Sequence, residues 1–454
     1  MQKFIAKSSE LFDRFDPKYV AFKRRVANFR YPSVKMGSLL SEPPEYGAGE
    51  AGIERLNDTT PRYIRITDID ENGELLPGLG MTAANVEPQY FLRDGDLLFA
   101  RSGNTVGKSY LHESERVSYP CFYAGYMIRF RFGEKVLPKY VFAFAQTPYY
   151  HEWVSAIQRS AGQPNINAQE YRNLEIPLPP LSEQRKIVAE LDVAYAAKRA
   201  ADEKATKLLA SIDDMVLNEL GIAKLPNPDT SLSSRIFIVP AREVANTTLA
   251  PDHYFDSIDF SKAKYPCERF VERIDIDPPC GLEQITKLVP MEGVSAEWCA
   301  IERIQDISPD ATQGYSTFRG GDVIWARITP CMENGKSAVV EAEPSEYFCG
   351  STEFLVFRTK DDKVNPYYLQ SLLHLKRFRE VAAHHFTGTS GHQRVTSDFF
   401  KSISIPVPPR SVQDRIASTA LSIRAEARKL KADATAALDA AKRKIECMVM
   451  KDNR

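Results

Sequence analysis

A chain of 454 residues with 43% hydrophobic and 26% charged side chains has the composition of a folded, soluble protein and enough length for two or three cores. Its net charge of −1 excludes a simple polycation that holds nucleic acid by charge excess, although local basic surfaces stay possible. Seven scattered cysteines without a C-x-x-C pair predict reduced thiols in a cytoplasmic setting, with neither a disulfide framework nor a zinc site. No run approaches the roughly 18 apolar residues of a membrane helix, and MQKFIAKSSELFDRFD at the start has no secretory pattern.

Along the chain, a first domain over 1–180 carries strand-like runs at DLLFAR (96–101) and YMIRFRF (126–132), then a helix-like stretch at 138–160. A strap containing Pro177, Pro179 and Pro180 closes it, and proline there predicts a rigid turn that launches a new element. That element is a long helix over 181–222, with Ile187, Leu191, Leu208 and Ile212 in a 3–4 spacing and Gly221 at its end. The loop 225–235 opens a second domain over 223–409, with strand-like DVIWAR (322–327) and EFLVFR (353–358) and a helix-like stretch at 366–386. A second strap at Pro406, Pro408 and Pro409 starts a second helix over 410–454, striped by Ile416, Ile423, Leu430 and Ile445.

The order is a tandem repeat. LEIPLPPLSEQRKI (174–187) matches ISIPVPPRSVQDRI (403–416), and FLRDGDLLFARSGNTVGKS (91–109) matches FRGGDVIWARITPCMENGKS (318–337). VLPKYVFAF (136–144) matches VNPYYLQSL (364–372), and the offset stays at 226 to 229 residues throughout. The stripes last about five heptads and are rich in alanine, which favours two helices packed closely together. An α+β protein is expected, with two similar domains separated by two long antiparallel coiled-coil spacer helices and related by a pseudo-twofold axis.

Catalytic chemistry finds little footing. SGNTVGKS (102–109) lacks the first glycine of a phosphate loop, having Ser102 there. DPPC (277–280) lacks the aromatic that stacks on a flipped base and reads as a Pro-Pro turn. His384, His385 and His392 have no converging ligands at metal-binding spacing. No catalytic or metal site is expected.

The doubled I-P-[LV]-P-P-x-x-x-Q-x-x-I followed by a helix, around a tandem repeat, resembles the specificity subunit of type I restriction–modification systems. PLPPLSEQRKIVAEL (177–191) and GQPNINAQEYRNLEIP (162–177) lie close to the family pattern. The second copy departs from it, with Val412 for the usual Glu and Asp414 after Gln413. The resemblance implies a non-catalytic subunit reading a bipartite, asymmetric site in double-stranded DNA, one half per domain, with the helices as a ruler. It implies two methyltransferase subunits and an endonuclease/translocase subunit as partners. S-adenosylmethionine, ATP and magnesium would belong to those partners, and this chain would hold no cofactor.

Two segments per half carry side chains suited to DNA. After the DLLFAR and DVIWAR strands come Arg101, Ser102, Asn104 and Lys108, then Arg327, Asn334 and Lys336; arginine and asparagine read guanine and adenine edges bidentately. Before the straps stand Gln163 and Asn165, then His392, Gln393 and Arg394. Arg101 and Arg327 recur in both halves, as scaffold or phosphate residues would. Two other readings fit the same parts: a specificity chain for a combined nuclease–methylase, and a two-domain scaffold that binds proteins rather than DNA.

Overall fold

The computed structural model describes residues 17–25, 29–158, 164–222, 238, 260–280, 285–389 and 392–451. Gln163 and the loop 225–235 lie outside them. The chain divides into two compact units, Met1–Ala200 with Asp433–Arg454, and Ala201–Ala432. The division runs through the long helices rather than at their ends, so each unit takes part of both.

In the first unit the strands are β1 (Ser33–Lys35), β2 (Glu45–Tyr46), β3 (Ile53–Glu54), β4 (Arg62–Ile64), β5 (Met81–Thr82), β6 (Leu97–Ala100), β7 (Ser109–Leu111), β8 (Cys121–Tyr123), β9 (Met127–Phe130) and β10 (Glu175–Pro177). Its helices are α1 (Pro17–Arg25), α2 (Pro138–Phe144), α3 (Pro148–Ile157), α4 (Ala168–Arg172) and the start of α5 (Leu181–Leu220). One four-stranded sheet runs β2-β9-β6-β7 and a second runs β3-β5-β4-β8.

All four residues of β6 are buried, and the period of two explains why. Leu97 and Phe99 join the core shared with the helices, which also contains Ile187 and Leu191 of α5. Leu98 joins the core between the two sheets, with Tyr63 and Phe122. The β2-β9-β6-β7 sheet is thus the middle of three layers, covered on both faces.

The second unit repeats the plan with β11 (Cys267–Arg269), β12 (Ile274–Ile276), β13 (Lys287–Val289), β14 (Val294–Ser295), β15 (Ala300–Ile301), β16 (Gln305–Asp306), β17 (Ser316–Arg319), β18 (Val323–Ala326), β19 (Ser337–Val339), β20 (Tyr347–Gly350), β21 (Phe354–Thr359), β22 (Phe386–Thr387), β23 (Arg394–Val395) and β24 (Ser404–Pro406). The helices are α6 (Phe270–Arg273), α7 (Pro366–His374), α8 (Lys376–His384), α9 (Ser397–Ser402) and α10 (Arg410–Val449). Sheets β12-β21-β18-β19 and β16-β13-β20-β17 correspond to those of the first unit. Leu97 faces Phe130 and Leu111, as Val323 faces Phe357 and Val339. Val323 and Trp325 look into the helix-side core and Ile324 into the inter-sheet core.

Three expectations need correction. The stretch 138–160 is two helices, because Thr147 caps a new one with Pro148 in its first turn, and proline cannot extend the preceding helix. The stretch 366–386 is likewise split, at the extended residue Leu375 (φ −47, ψ 130). The straps are also more than turns. Glu175–Pro177 pairs antiparallel with β1, and Ser404–Pro406 with β11; proline is tolerated because each ladder has only two strands and the proline stands at its end.

The glutamine of the strap motif locks each strap to the preceding helix. The buried Gln184 amide accepts from the Leu137 N–H at the start of α2 (2.8 Å) and donates to the carbonyls of Lys135 (3.3 Å) and Pro179 (2.9 Å). Gln413 accepts from the Asn365 N–H at the start of α7 (2.8 Å) and donates to Lys363 (2.7 Å) and Pro408 (2.8 Å). Tyr140 donates to the Pro177 carbonyl and Tyr368 to that of Pro406. Of the helix residues singled out, Ile187, Leu191, Ile212, Ile416 and Ile445 are buried, while Leu208, Ile423 and Leu430 are half-buried. Tyr195 and Leu438 are buried as well.

Candidate nucleic-acid interface

The strand β6 ends where its apolar run gives way to Arg101, and the chain turns back to β7 through Gly107. That glycine has φ +88, and a Cβ on it would stand 2.6 Å from Val154. Gly335 holds the same place in the second unit, with φ +84 and His374 2.7 Å from a Cβ. Neither position tolerates a side chain. Tyr150 donates to the Gly107 carbonyl (2.7 Å), and the His374 Nδ1 lies 3.2 Å from that of Gly335. Burial, with Arg424 and Arg379 nearby, pushes the His374 imidazole down to about 3, so it stays neutral, with the Cys299 Sγ also 3.3 Å from its Nδ1.

The two candidate segments of each half, far apart in sequence, meet in space. In the first unit Ser102 pairs antiparallel with Asn165; the Gly103 N–H donates to the Pro164 carbonyl (3.1 Å) and the Ile166 N–H to that of Arg101 (2.8 Å). In the second unit Ile328 pairs antiparallel with Arg394; the Thr329 N–H donates to Gln393 (3.0 Å) and the Val395 N–H to Arg327 (2.9 Å). A third strand end completes each frame: the Arg101 N–H donates to Tyr126 (2.9 Å), and the Arg327 N–H to Glu353 (2.9 Å). These bonds make Asn165 the equivalent of Arg394, and Tyr126 the equivalent of Glu353.

The side chains on this frame divide into three kinds. Lys108 turns inward: its ammonium donates to the Ile69 carbonyl (2.9 Å) and pairs with Glu71 (2.9 Å). Lys336 likewise donates to the Met291 carbonyl (2.8 Å). Arg101 and Arg327 are half-buried, each with an Nε that has no hydrogen-bond partner. The Arg101 guanidinium lies 4.9 Å over the Tyr46 ring, a cation–π contact. Asn104, Asn165, Asn334 and His392 are exposed, and Ser102, Gln393 and Arg394 are half-buried.

Sequence reasoning missed three participants. Tyr126 is 67% exposed and Tyr46 39% exposed, which places two aromatic faces beside Arg101 on the first tip. Glu353 grips Arg394 through both carboxylate oxygens (2.6 and 2.8 Å). Tyr126 and Glu353 precede their strands at an offset of 227 residues, but unlike residues at matched positions give no repeat signal. The DPPC turn is tied down elsewhere, with the Asp277 carboxylate accepting from the Val356 N–H (2.9 Å). Among the described residues no group of three His, Cys, Asp or Glu could hold a metal ion, and no helix is long and apolar enough to cross a membrane.

Known proteins resemble this chain across both units. The family described as the type I restriction modification DNA specificity domain matches residues 63–207 and 292–427. The specificity subunit of the type I restriction enzyme EcoAI from Escherichia coli is 33% identical over 135 residues, covering 30% of this chain and 23% of that one. The EcoKI specificity subunit from Escherichia coli strain K12 is 25% identical over 224 residues, covering 48% of this chain and 45% of that one. The matches thus span less than half the length of these relatives. A solved type I restriction–modification S subunit from M. genitalium aligns over 94% of this chain and 98% of that one, at 11% identity and a TM-score of 0.41. With two matched segments that together exceed half of its length, the chain belongs to the type I restriction–modification DNA specificity family and carries the specificity domain twice.

Proposed function

We propose that this chain is the sequence-reading subunit of a type I restriction–modification complex, with one tip per unit applied to one half of a bipartite, asymmetric site in duplex DNA. The observation that carries the reading is the tip itself: the same backbone frame, built twice from segments distant in sequence, presents different polar and aromatic side chains. Arg101 and Arg327 contact phosphates, since both recur at the same strand end of the two units; phosphate contacts position a protein without reading sequence. Asn104, Ser102, Asn334, Gln393 and His392 lie at the groove. Lys108 and Lys336 serve the fold, because their ammoniums are already satisfied by carbonyls.

The long helices are the spacer in this reading. Each has 40 residues, about 60 Å at 1.5 Å per residue, and they pair antiparallel as a coiled coil. An ion pair between Lys444 and Glu190 inside the first unit, and one between Arg415 and Glu219 inside the second, support that pairing. Two tips on a rigid spacer read half-sites about one helical turn apart. The chain is non-catalytic and works in the cytoplasm with two methyltransferase subunits and an endonuclease/translocase subunit. S-adenosylmethionine, ATP and magnesium are theirs.

The test is a salt titration of the full chain on labelled duplex DNA. Affinity is expected to fall linearly on a log–log plot, and Arg101→Gln or Arg327→Gln to reduce the slope by about 1 each. Absent or salt-independent binding would leave a protein scaffold as the better reading.

A further inference from the structure

Arg394 and Asn165 occupy one position of the shared frame in two different chemical settings. A guanidinium has five N–H donors. In Arg394, Nε and Nη2 each donate to the Glu353 carboxylate (2.8 and 2.6 Å), and Nη1 donates to the His392 carbonyl (2.7 Å). Three donors are therefore used. Two N–H donors remain, one on each Nη, and the side chain is 34% exposed. A fork held by a carboxylate on one edge loses little rotamer entropy on binding. Its free end matches two adjacent acceptors, which in the major groove are O6 and N7 of guanine.

Asn165 has no such clamp. It is exposed, its side-chain amide has no hydrogen-bond partner among the described residues, and its neighbour at the Glu353 position is the exposed Tyr126. A primary amide offers one donor and one acceptor, the pattern of adenine N7 and N6.

Resting on the reading of each tip as a DNA reader, we propose that positions 165 and 394 are equivalent specificity determinants: Asn165 reads an adenine in one half-site, and Arg394, pre-oriented by Glu353, reads a guanine in the other. The asymmetry of the target then comes in part from one substitution on a duplicated frame, an amide in one copy and a clamped guanidinium in the next.

The experiment selects sequences from a randomised duplex library with the full chain, as wild type, as Arg394→Lys and as Asn165→Ala. Arg394→Lys keeps the ion pair with Glu353 but loses the fork. It is expected to weaken one guanine preference by roughly 5- to 150-fold, the range of a lost bidentate base contact, and to leave the other half-site as it was. Asn165→Ala, at an exposed position, is expected to relax one adenine in that other half-site only. Thermal melting shows that both variants remain folded. If the wild type enriches a bipartite consensus that neither variant alters, this inference is overturned while the DNA-reading function stands. If the wild type enriches no consensus, the functional reading itself fails.

Discussion

The two units differ least where they are buried and most where they meet solvent. Asp96 holds Arg131 through both carboxylate oxygens, as Asp322 holds Arg358. Gln146 donates to Ser109 (2.9 Å), as Gln370 donates to Ser337 (3.1 Å). Gln184 and Gln413 make the same three bonds. At the tips, an exposed tyrosine and asparagine in one unit stand where the other has a glutamate clamped on an arginine. The contrast teaches where each copy of a duplicated domain could change. A buried polar network fails if one member is lost, because the others are left unsatisfied, whereas a tip fixed by backbone bonds accepts any side chain.

The largest test of that contrast is the buried carboxylate. Removing one member of a buried ion pair costs about 3–5 kcal/mol, and Asp322→Ala is expected to destabilise the second unit by about that much in urea unfolding. Asp96→Ala should cost less. Arg131 retains Glu42 at 2.8 Å, while among the described residues Arg358 retains only the Cys280 sulfur. Equal losses would mean that the pairs are not differently supported. The strap glutamines come next: Gln184→Ala and Gln413→Ala should each cost about 1–3 kcal/mol, as for a buried group left without its partner, and the two costs should match.

A smaller effect separates the copies by pH. The His374 pKa lies near 3, against 6.5 for the free side chain. Between those values the unfolded chain binds a proton that the folded chain refuses, so stability falls as pH drops through this window. At the aligned position the first unit has Gln146, which does not titrate, and its own buried histidines, His112 and His151, lie elsewhere and are lowered in the same direction. Replacing His374 by Gln is expected to flatten the acid decline of the second unit, read as Tm against pH. An unchanged slope would show that His374 is not the group that titrates.

Much of the frame was legible in the sequence because duplication leaves its own signal. The matched DLLFAR and DVIWAR runs located the central strand of each unit, and the doubled strap located the start of each long helix. The strap strands were not legible, since proline argues against a ladder until a two-stranded pairing is seen. The split of 138–160 was written in Thr147 and Pro148, but Leu375 carries no comparable breaker. Of the candidate site, Arg101, Asn165, Arg327 and Arg394 were legible as residue types suited to DNA. Their meeting was not, because pairs such as Ser102 with Asn165 are joined only by tertiary folding. The inward turn of Lys108 and Lys336 was hidden for the same reason: a lysine beside a turn reads as basic surface until its acceptor carbonyl is placed.

The most direct measurement is a map of methylated adenines in host DNA, made with and without this chain alongside the proposed methyltransferase partner. A bipartite, asymmetric motif with a fixed gap is expected to appear only when the chain is present. A methylation pattern unchanged by the chain, or a palindromic motif read identically by both units, would contradict it.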